Sequence, residues 1–240
     1  MRGGPPERRA FNRGEWHYVN LPLFLTDAAW AELAGRLTVN VTMDPPTDAT
    51  RDTQKMNVVQ VIRFARKQLA DTQAGPEARA VMLAWLFHDV GDIHQPLHSS
   101  ALFSTRLFRD GDRGGNSIKT SQSGNLHTLW DQFPGSSDTY RGARNKAIAD
   151  IANPELVALG TKAKALLDEK VWLDESHDLA KRLAYSAEVL DALRKMEATG
   201  ANVEEIGLSE TYLRAGGRES ERRLVLAGYR RGAVLKQLAN

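Results

Sequence analysis

The sequence predicts an all-α protein. Apolar residues recur at three- and four-residue spacing in segment after segment, and no alternating stretch of five or more residues stands outside the loops. Helix punctuation falls where that periodicity needs it, as in the Gly75-Pro76 pair that opens one of the segments.

In chain order, Val58, Ile62, Ala65 and Leu69 place one apolar face on a helix from about Gln54 to Ala70. The next helix runs from Pro76 to about Gln95, with a kink expected at Pro96, which cannot donate to the Asp92 carbonyl and crowds it. Further helices read over Leu126–Phe133, Arg141–Ala152, Glu155–Lys170 and Glu175–Met196. A last one, Arg218–Leu238, carries Leu224, Ala227, Val234, Leu235 and Leu238 on one side. Met43–Thr53 reads as a Pro/Asp/Thr connection, and Ser99–Asn125 as a loop of 27 residues punctuated by Gly111, Gly114, Gly115 and Gly124. Loops this long inside a compact domain are usually functional or disordered, and His and Asp on both flanks favour function.

Composition narrows the chemistry. The 240 residues include no cysteine and six histidines, so disulfides, thiolate metal sites and cysteine nucleophiles are out, and any zinc or iron site must use His and carboxylate. The length suits one domain, and without repeats, low-complexity runs or clear linkers the chain reads as a single domain over 1–240. Lys+Arg 32 against Asp+Glu 30 is too balanced for a tight duplex-DNA binder, though basic patches remain open. No apolar run approaches the roughly 20 residues of a membrane span, and Met1–Glu15 has no apolar signal-peptide core. As given, the chain reads as soluble, and nothing in it implies a protein partner.

The chemistry-bearing residues cluster around the long loop. Val81, Trp85, His88 and Asp92 lie on one helical face, so an apolar stripe runs straight into a histidine and an aspartate. An ionised carboxylate there is costly unless paired or metal-bound. His98 follows just past the kink. Across the loop, His127 and Asp131 repeat the four-residue His/Asp spacing, which lets an imidazole and a carboxylate reach one ion. One such pair is more often simply hydrogen-bonded. Two pairs plus His98 around a glycine-rich loop point to two or more zinc sites. His98, His127 and Asp131 give three ligands and an open position, and His88 with Asp92 gives half of another site. His94 lies on a different face and reads as an orienting or structural histidine, and His177 reads as polar surface.

Three motifs in order now carry a resemblance: His88-Asp-Val-Gly-Asp92-Ile-His-Gln-Pro-Leu-His98, Asp112-Arg-Gly-Gly-Asn116, and Asn125-Leu-His127-Thr-Leu-Trp-Asp131. Together with Trp16-His17-Tyr18 and the weaker Trp172-Leu-Asp-Glu-Ser176 and Leu226-Ala-Gly-Tyr-Arg230, they resemble the single-strand-specific zinc nucleases of the mung-bean type. The resemblance runs from about Trp16 to the C-terminus. It implies a multi-helix zinc-cluster fold shared with zinc-dependent phospholipase C, and three zinc ions. His98, His127 and Asp131 resemble the full ligand set of one zinc. His17, His88 and Asp92 resemble three of four ligands of a second, with Asp92 bridging to a third and expected to be catalytic. The implied reaction is hydrolysis of RNA and single-stranded DNA to 5′-phosphate products, with zinc lowering the pKa of the attacking water. Removal of a 3′-phosphate from nucleotides is left open.

Tyr18, beside His17, resembles the family's base-stacking platform, with a core tyrosine as the alternative. Asn20 stands where well-known members have a base-contacting aspartate, and Arg113, before Gly114-Gly115-Asn116, stands where fungal members place an apolar residue. Asn116 belongs to the same expected substrate-binding set. Arg113 with Arg106, Arg109 and Lys119 makes the loop basic, which suits a polyanion or is an ordinary solvated loop. The family's remaining aspartate ligand, N-terminal Trp and early His have no counterpart here. The chain is therefore expected to be an N-terminally shortened version, with Arg2 standing for a phosphate-facing arginine and export to the periplasm or outside directed from the absent segment. Two other readings stay open: a phospholipase C-like hydrolase, against which Asp131 in place of Glu speaks, and a zinc-stabilised but catalytically silent helical protein.

Overall fold

A computed structural model describes residues 11–135 and 139–239; Met1 and Arg2 lie outside the described residues. The helical expectation holds. α1 spans Asp27–Leu33, α2 Val58–Ala70, α3 Pro76–Asp92, α4 Leu126–Gln132, α5 Tyr140–Ala152, α6 Pro154–Ala163, α7 Glu169–Leu179, α8 Ala187–Thr199 and α9 Glu210–Leu238. Short 3-10 turns occupy Gly14–His17, Ala34–Arg36 and Pro96–His98.

Local chemistry sets these boundaries. Asn57 and Gln60 form a reciprocal capping box that starts α2, and Pro76 supplies the first turn of α3 after Gly75. Pro96 does more than kink α3. The helix ends at Asp92, and the freed carbonyls of Gly91 and Asp92 are taken by the His94 and Gln95 amides in a tighter turn. The Gln95 side chain then accepts from the Leu97 amide and opens the Pro96–His98 turn.

The structure corrects three boundary readings. The stretch read as one helix from Glu155 to Lys170 is broken between Ala163 and Glu169, where Asp168 caps α7 by accepting from the Lys170 amide. The stretch read as Glu175–Met196 contains a π-helical turn, Ala180–Ala184, and a break at Tyr185. The extra residue in that turn keeps apolar side chains inward across the break, so the periodicity conceals it. α9 begins at Glu210 rather than Arg218, capped by Ser209. Gly216 and Gly217 hide its first turns from a propensity reading. Gly216 is needed for packing, because a Cβ there would run into the Phe133 ring.

One correction concerns strands. β1 (Leu21–Phe24) and β2 (Ser100–Phe103) pair in parallel, with Leu21 opposite Ser100 and Phe24 opposite Phe103. β2 lies inside the segment read as loop. Each strand has only four residues, β1 contains Pro22, and all four residues of β2 are buried, so no two-residue alternation exists to be read.

Among the described residues, one apolar cluster gathers Trp16, the inner faces of α2 and α3, and Trp172. Another gathers Leu97, Leu102, Trp130, Tyr185 and Tyr212 around β2, α4 and α8. The end of α3 runs along the junction of the two, and the ligand residues are held there. None of the described helices is long and apolar enough to cross a membrane.

Candidate metal centre

His17 is positioned by its neighbour. Trp16 is fully buried, donates from its indole to the Thr53 carbonyl at 2.8 Å, and packs edge-on against Trp85 with ring centroids 4.7 Å apart. That anchor turns His17 toward α3. His17 Nδ1 lies 2.9 Å from Asp92 Oδ2 and 2.9 Å from His88 Nε2, and His88 Nε2 lies 3.2 Å from the same oxygen. Three groups from two elements thus converge on one point.

The second group forms next to it. His98 and His127 face each other with ring centroids 4.8 Å apart, and His127 Nε2 lies 3.7 Å from Asp131 Oδ2. Gln95 donates to the other oxygen of Asp131 at 2.9 Å. The groups adjoin, with His98 Nδ1 3.8 Å from Asp92 Oδ2. Within each triad, one ligand atom per residue lies within 4.8 Å of the others.

Hydrogen bonding sets the ligand tautomers. His98 Nδ1 donates to the His17 carbonyl at 2.6 Å, and His127 Nδ1 donates to the Gly114 carbonyl at 2.7 Å. Each ring therefore presents an Nε2 lone pair to the shared space, the arrangement a divalent metal needs from imidazole. Burial opposes ionisation of Asp92, but bonds from His17 and His88 prevail and hold its carboxyl below the usual range. His88 is raised chiefly by its bond to Asp92, and His127 is lowered by burial and by the neighbouring His98. Imidazole nitrogens gathered with carboxylate oxygens fit zinc, and the residues present could hold it at both groups.

A family model described as S1/P1 nuclease matches residues 7–240. The chain belongs to the S1/P1 nuclease family. It is also similar to Endonuclease 3 of Arabidopsis thaliana, at 46% identity over 54 residues. That match covers 21% of this chain and 16% of the relative's length. The family is zinc-dependent in general, in keeping with the donor set of both triads.

In this S1/P1 chain the long loop is a scaffold for His127. Asp112 is fully buried, accepts from the Leu102 amide at 2.9 Å with one oxygen, and accepts from the Gly115 amide and the Tyr185 hydroxyl with the other. Burial pushes its carboxyl up to about 6 despite those donors. Arg113 and Gly114 both take positive φ, and a Cβ on Gly114 would run into the Leu97 carbonyl. This close approach presents the Gly114 carbonyl to His127.

Tyr18 is 37% exposed, so it is not a core tyrosine, and partial burial and the nearby Glu15 raise its phenol against the opposing charge of Arg113. Tyr18 and Asn20 line an open cavity of about 670 Å³ that also includes Asn57, Phe103 and Arg109. Asn116 is exposed and closes its own turn by donating to the Arg113 carbonyl at 2.9 Å.

Two surface readings need correction, and the structural reading of His94 holds. Arg106 is bound to the C-terminal end of α8, donating to the Met196, Glu197 and Ala201 carbonyls, and Arg109 pairs with Glu32 at 2.7 Å. Both serve the fold, so the loop is less basic in effect than its composition. His177 is half-buried rather than surface, and its Nδ1 accepts from the Ser100 hydroxyl at 2.8 Å. His94 is structural: it is buried, donates to the Val90 carbonyl, and its Nε2 accepts from Arg230 at 2.9 Å.

Sequence reasoning missed Gln95, Asp112 and Glu175. Gln95 and Asp112 sit within the recognised motifs, so their place there was the available signal. Glu175, which accepts from both Arg223 and Arg230 at 2.7 Å, sits in the weaker Trp172–Ser176 pattern, whose role the sequence left unassigned.

Proposed function

We propose that this protein is a zinc-dependent phosphodiesterase that hydrolyses single-stranded DNA and RNA to 5′-phosphate products. The observation that carries this is the pair of adjoining triads, His17/His88/Asp92 and His98/His127/Asp131, with His98 Nδ1 of one 3.8 Å from Asp92 Oδ2 of the other. Two metal-binding groups so close suit in-line displacement at phosphorus, where both the entering and the leaving oxygen need charge stabilisation. Bound there, zinc would supply Lewis acidity toward water and the phosphate oxygens.

The chain's own residues do the rest. Asp92 and Asp131 supply the negative charge that retains cations. The carbonyls of His17 and Gly114 keep the His98 and His127 rings turned toward the shared space. Tyr18 offers a partly exposed ring beside His17, on which an unstacked base can lie, and Asn20 offers an amide to its edge. A base held in a duplex cannot reach that ring without unstacking, which supports the single-strand preference. Arg113, next to Tyr18, offers charge to the backbone, and Asn116 steadies the turn that carries it.

The test is hydrolysis by zinc-loaded protein of single-stranded DNA, duplex DNA, RNA and phosphatidylcholine, with the phosphate position read on the products. Rapid cleavage of both single strands with 5′-phosphate ends is expected, with slow duplex cleavage and no lipid turnover. His127→Ala should abolish activity and remove about one equivalent of bound zinc. Retained nuclease activity in that variant would remove the site assignment.

A further inference from the structure

Arg223 and Arg231 of α9 line a cavity beside the triads, and with the neighbouring Arg230 they differ in how they are neutralised. Arg223 and Arg230 both pair with Glu175 at 2.7 Å, and Arg223 also donates to the His94 carbonyl. Arg231 takes part in none of the ion pairs formed among the described residues. Its Nε, like that of Arg230, is buried without a hydrogen-bond partner, but no carboxylate among the described residues offsets its charge, and its guanidinium lies 5.2 Å from the centroid of the Phe87 ring. Nη2 reaches to 3.7 Å from the place a Cβ on Gly91 would occupy, one residue before Asp92. Arg231 lines a cavity of about 250 Å³ together with Asp92, His98, Asp131, Pro96 and Trp130.

A guanidinium partly withdrawn from water with an unpartnered N–H is costly unless an anion completes it. The protein supplies no carboxylate to it among the described residues, so the anion comes with a ligand. The cavity touches ligand residues of both triads, which places that anion beside whatever the triads hold. Its volume is at the lower edge of small-molecule sites, large enough for a phosphate and part of a sugar but too small for a run of nucleotides. The planar fork of arginine matches two oxygens of one phosphate better than any single-oxygen acceptor. The π face of Phe87 holds the guanidinium without neutralising it.

We propose that Arg231 is a substrate-phosphate contact, gripping a backbone phosphate of the polynucleotide from the α9 side of the metal centre. The assignment rests on the nuclease reading and adds a specificity-determining residue to it. Arg223 and Arg230, both ion-paired with Glu175, hold the α9 wall in place and leave the charge of Arg231 free to act.

The test measures binding of a fluorescent thymidine pentamer with phosphorothioate linkages to zinc-loaded protein, by anisotropy, over a range of salt concentrations. Arg231→Met should weaken binding about ten-fold and reduce the steepness of log K against log salt by about 0.7, the loss of one phosphate contact on a single strand. Arg231→Lys should keep the slope while losing part of the affinity. Arg222→Met, which removes an exposed charge about two and a half turns earlier on α9, should change neither. In kinetics, the Arg231→Met defect should appear in KM more than in kcat. If Arg231→Met folds poorly, Arg231→Gln, which keeps a donor without the charge, carries the same expectation. Wild-type affinity and slope in a folded, zinc-replete neutral variant would overturn the assignment. A wild-type protein that neither binds nor cleaves single strands would instead overturn the nuclease reading, a result visible before any variant is made.

Discussion

Gly114 shows how a single residue governs the metal centre without touching a metal. Its φ of +59° and the closeness of the Leu97 carbonyl exclude any side chain, and its own carbonyl accepts from His127 Nδ1 at 2.7 Å. Gly114→Ala must both strain the backbone and push the loop away from Leu97. The expected cost is roughly 3 kcal/mol of stability. Zinc affinity at the His98/His127/Asp131 group should fall about 10- to 100-fold, the usual effect of losing an orienting partner. Urea unfolding and competitive zinc titration would measure the two effects separately. Unchanged zinc affinity would mean that the Gly114 carbonyl does not orient His127.

At the scale of elements, Asp112 ties three of them together. It joins β2 through the Leu102 amide, the loop through the Gly115 amide, and the break before α8 through the Tyr185 hydroxyl. Asp112→Ala strands three buried donors at once. A loss of about 3–5 kcal/mol is expected, with the loop loosened before the helices melt. Hydrogen exchange should show early opening over residues 104–125 while α2 and α3 stay protected. Exchange that rises uniformly across the protein would refute this tethering role. The same contact explains the break at Tyr185, since the π-helical turn swings that side chain inward to reach Asp112.

The whole molecule carries a pH dependence through His177, which links α7 to β2. Burial, reinforced by Lys181, pushes its imidazole down to about 4, against 6.5 for an unperturbed histidine. Between those values the unfolded chain binds a proton that the folded protein refuses. Stability from this group is therefore complete above about pH 6.5 and declines as pH falls toward 4. His177→Gln keeps an acceptor for Ser100 without titrating. Its urea midpoint should fall less than that of the wild type between pH 7 and 5, with metal removed from both. Parallel midpoints in the two proteins would place the acid sensitivity elsewhere.

Much of this was legible in the chain. Most of the long helices were visible because they bury one face at a period of 3.6 residues, whereas the seven-residue α1 went unread, and the same period puts His88 over Asp92 and His127 over Asp131. Those pairs are properties of single elements, so spacing alone reveals them. The π-helical turn, the parallel β1–β2 pair and the early start of α9 left no periodic trace, because each is stabilised by a distant partner. Sequence by itself determined the helical class, the two His/Asp pairs and a glycine-rich loop between them. Family resemblance grouped His17 with His88 and Asp92, but only the tertiary structure decided that backbone carbonyls set the His98 and His127 tautomers, and that Arg231 has no ion pair among the described residues while Arg230 has one. The physical reason is that a residue's face is local, whereas its partner depends on how elements far apart in the chain pack together.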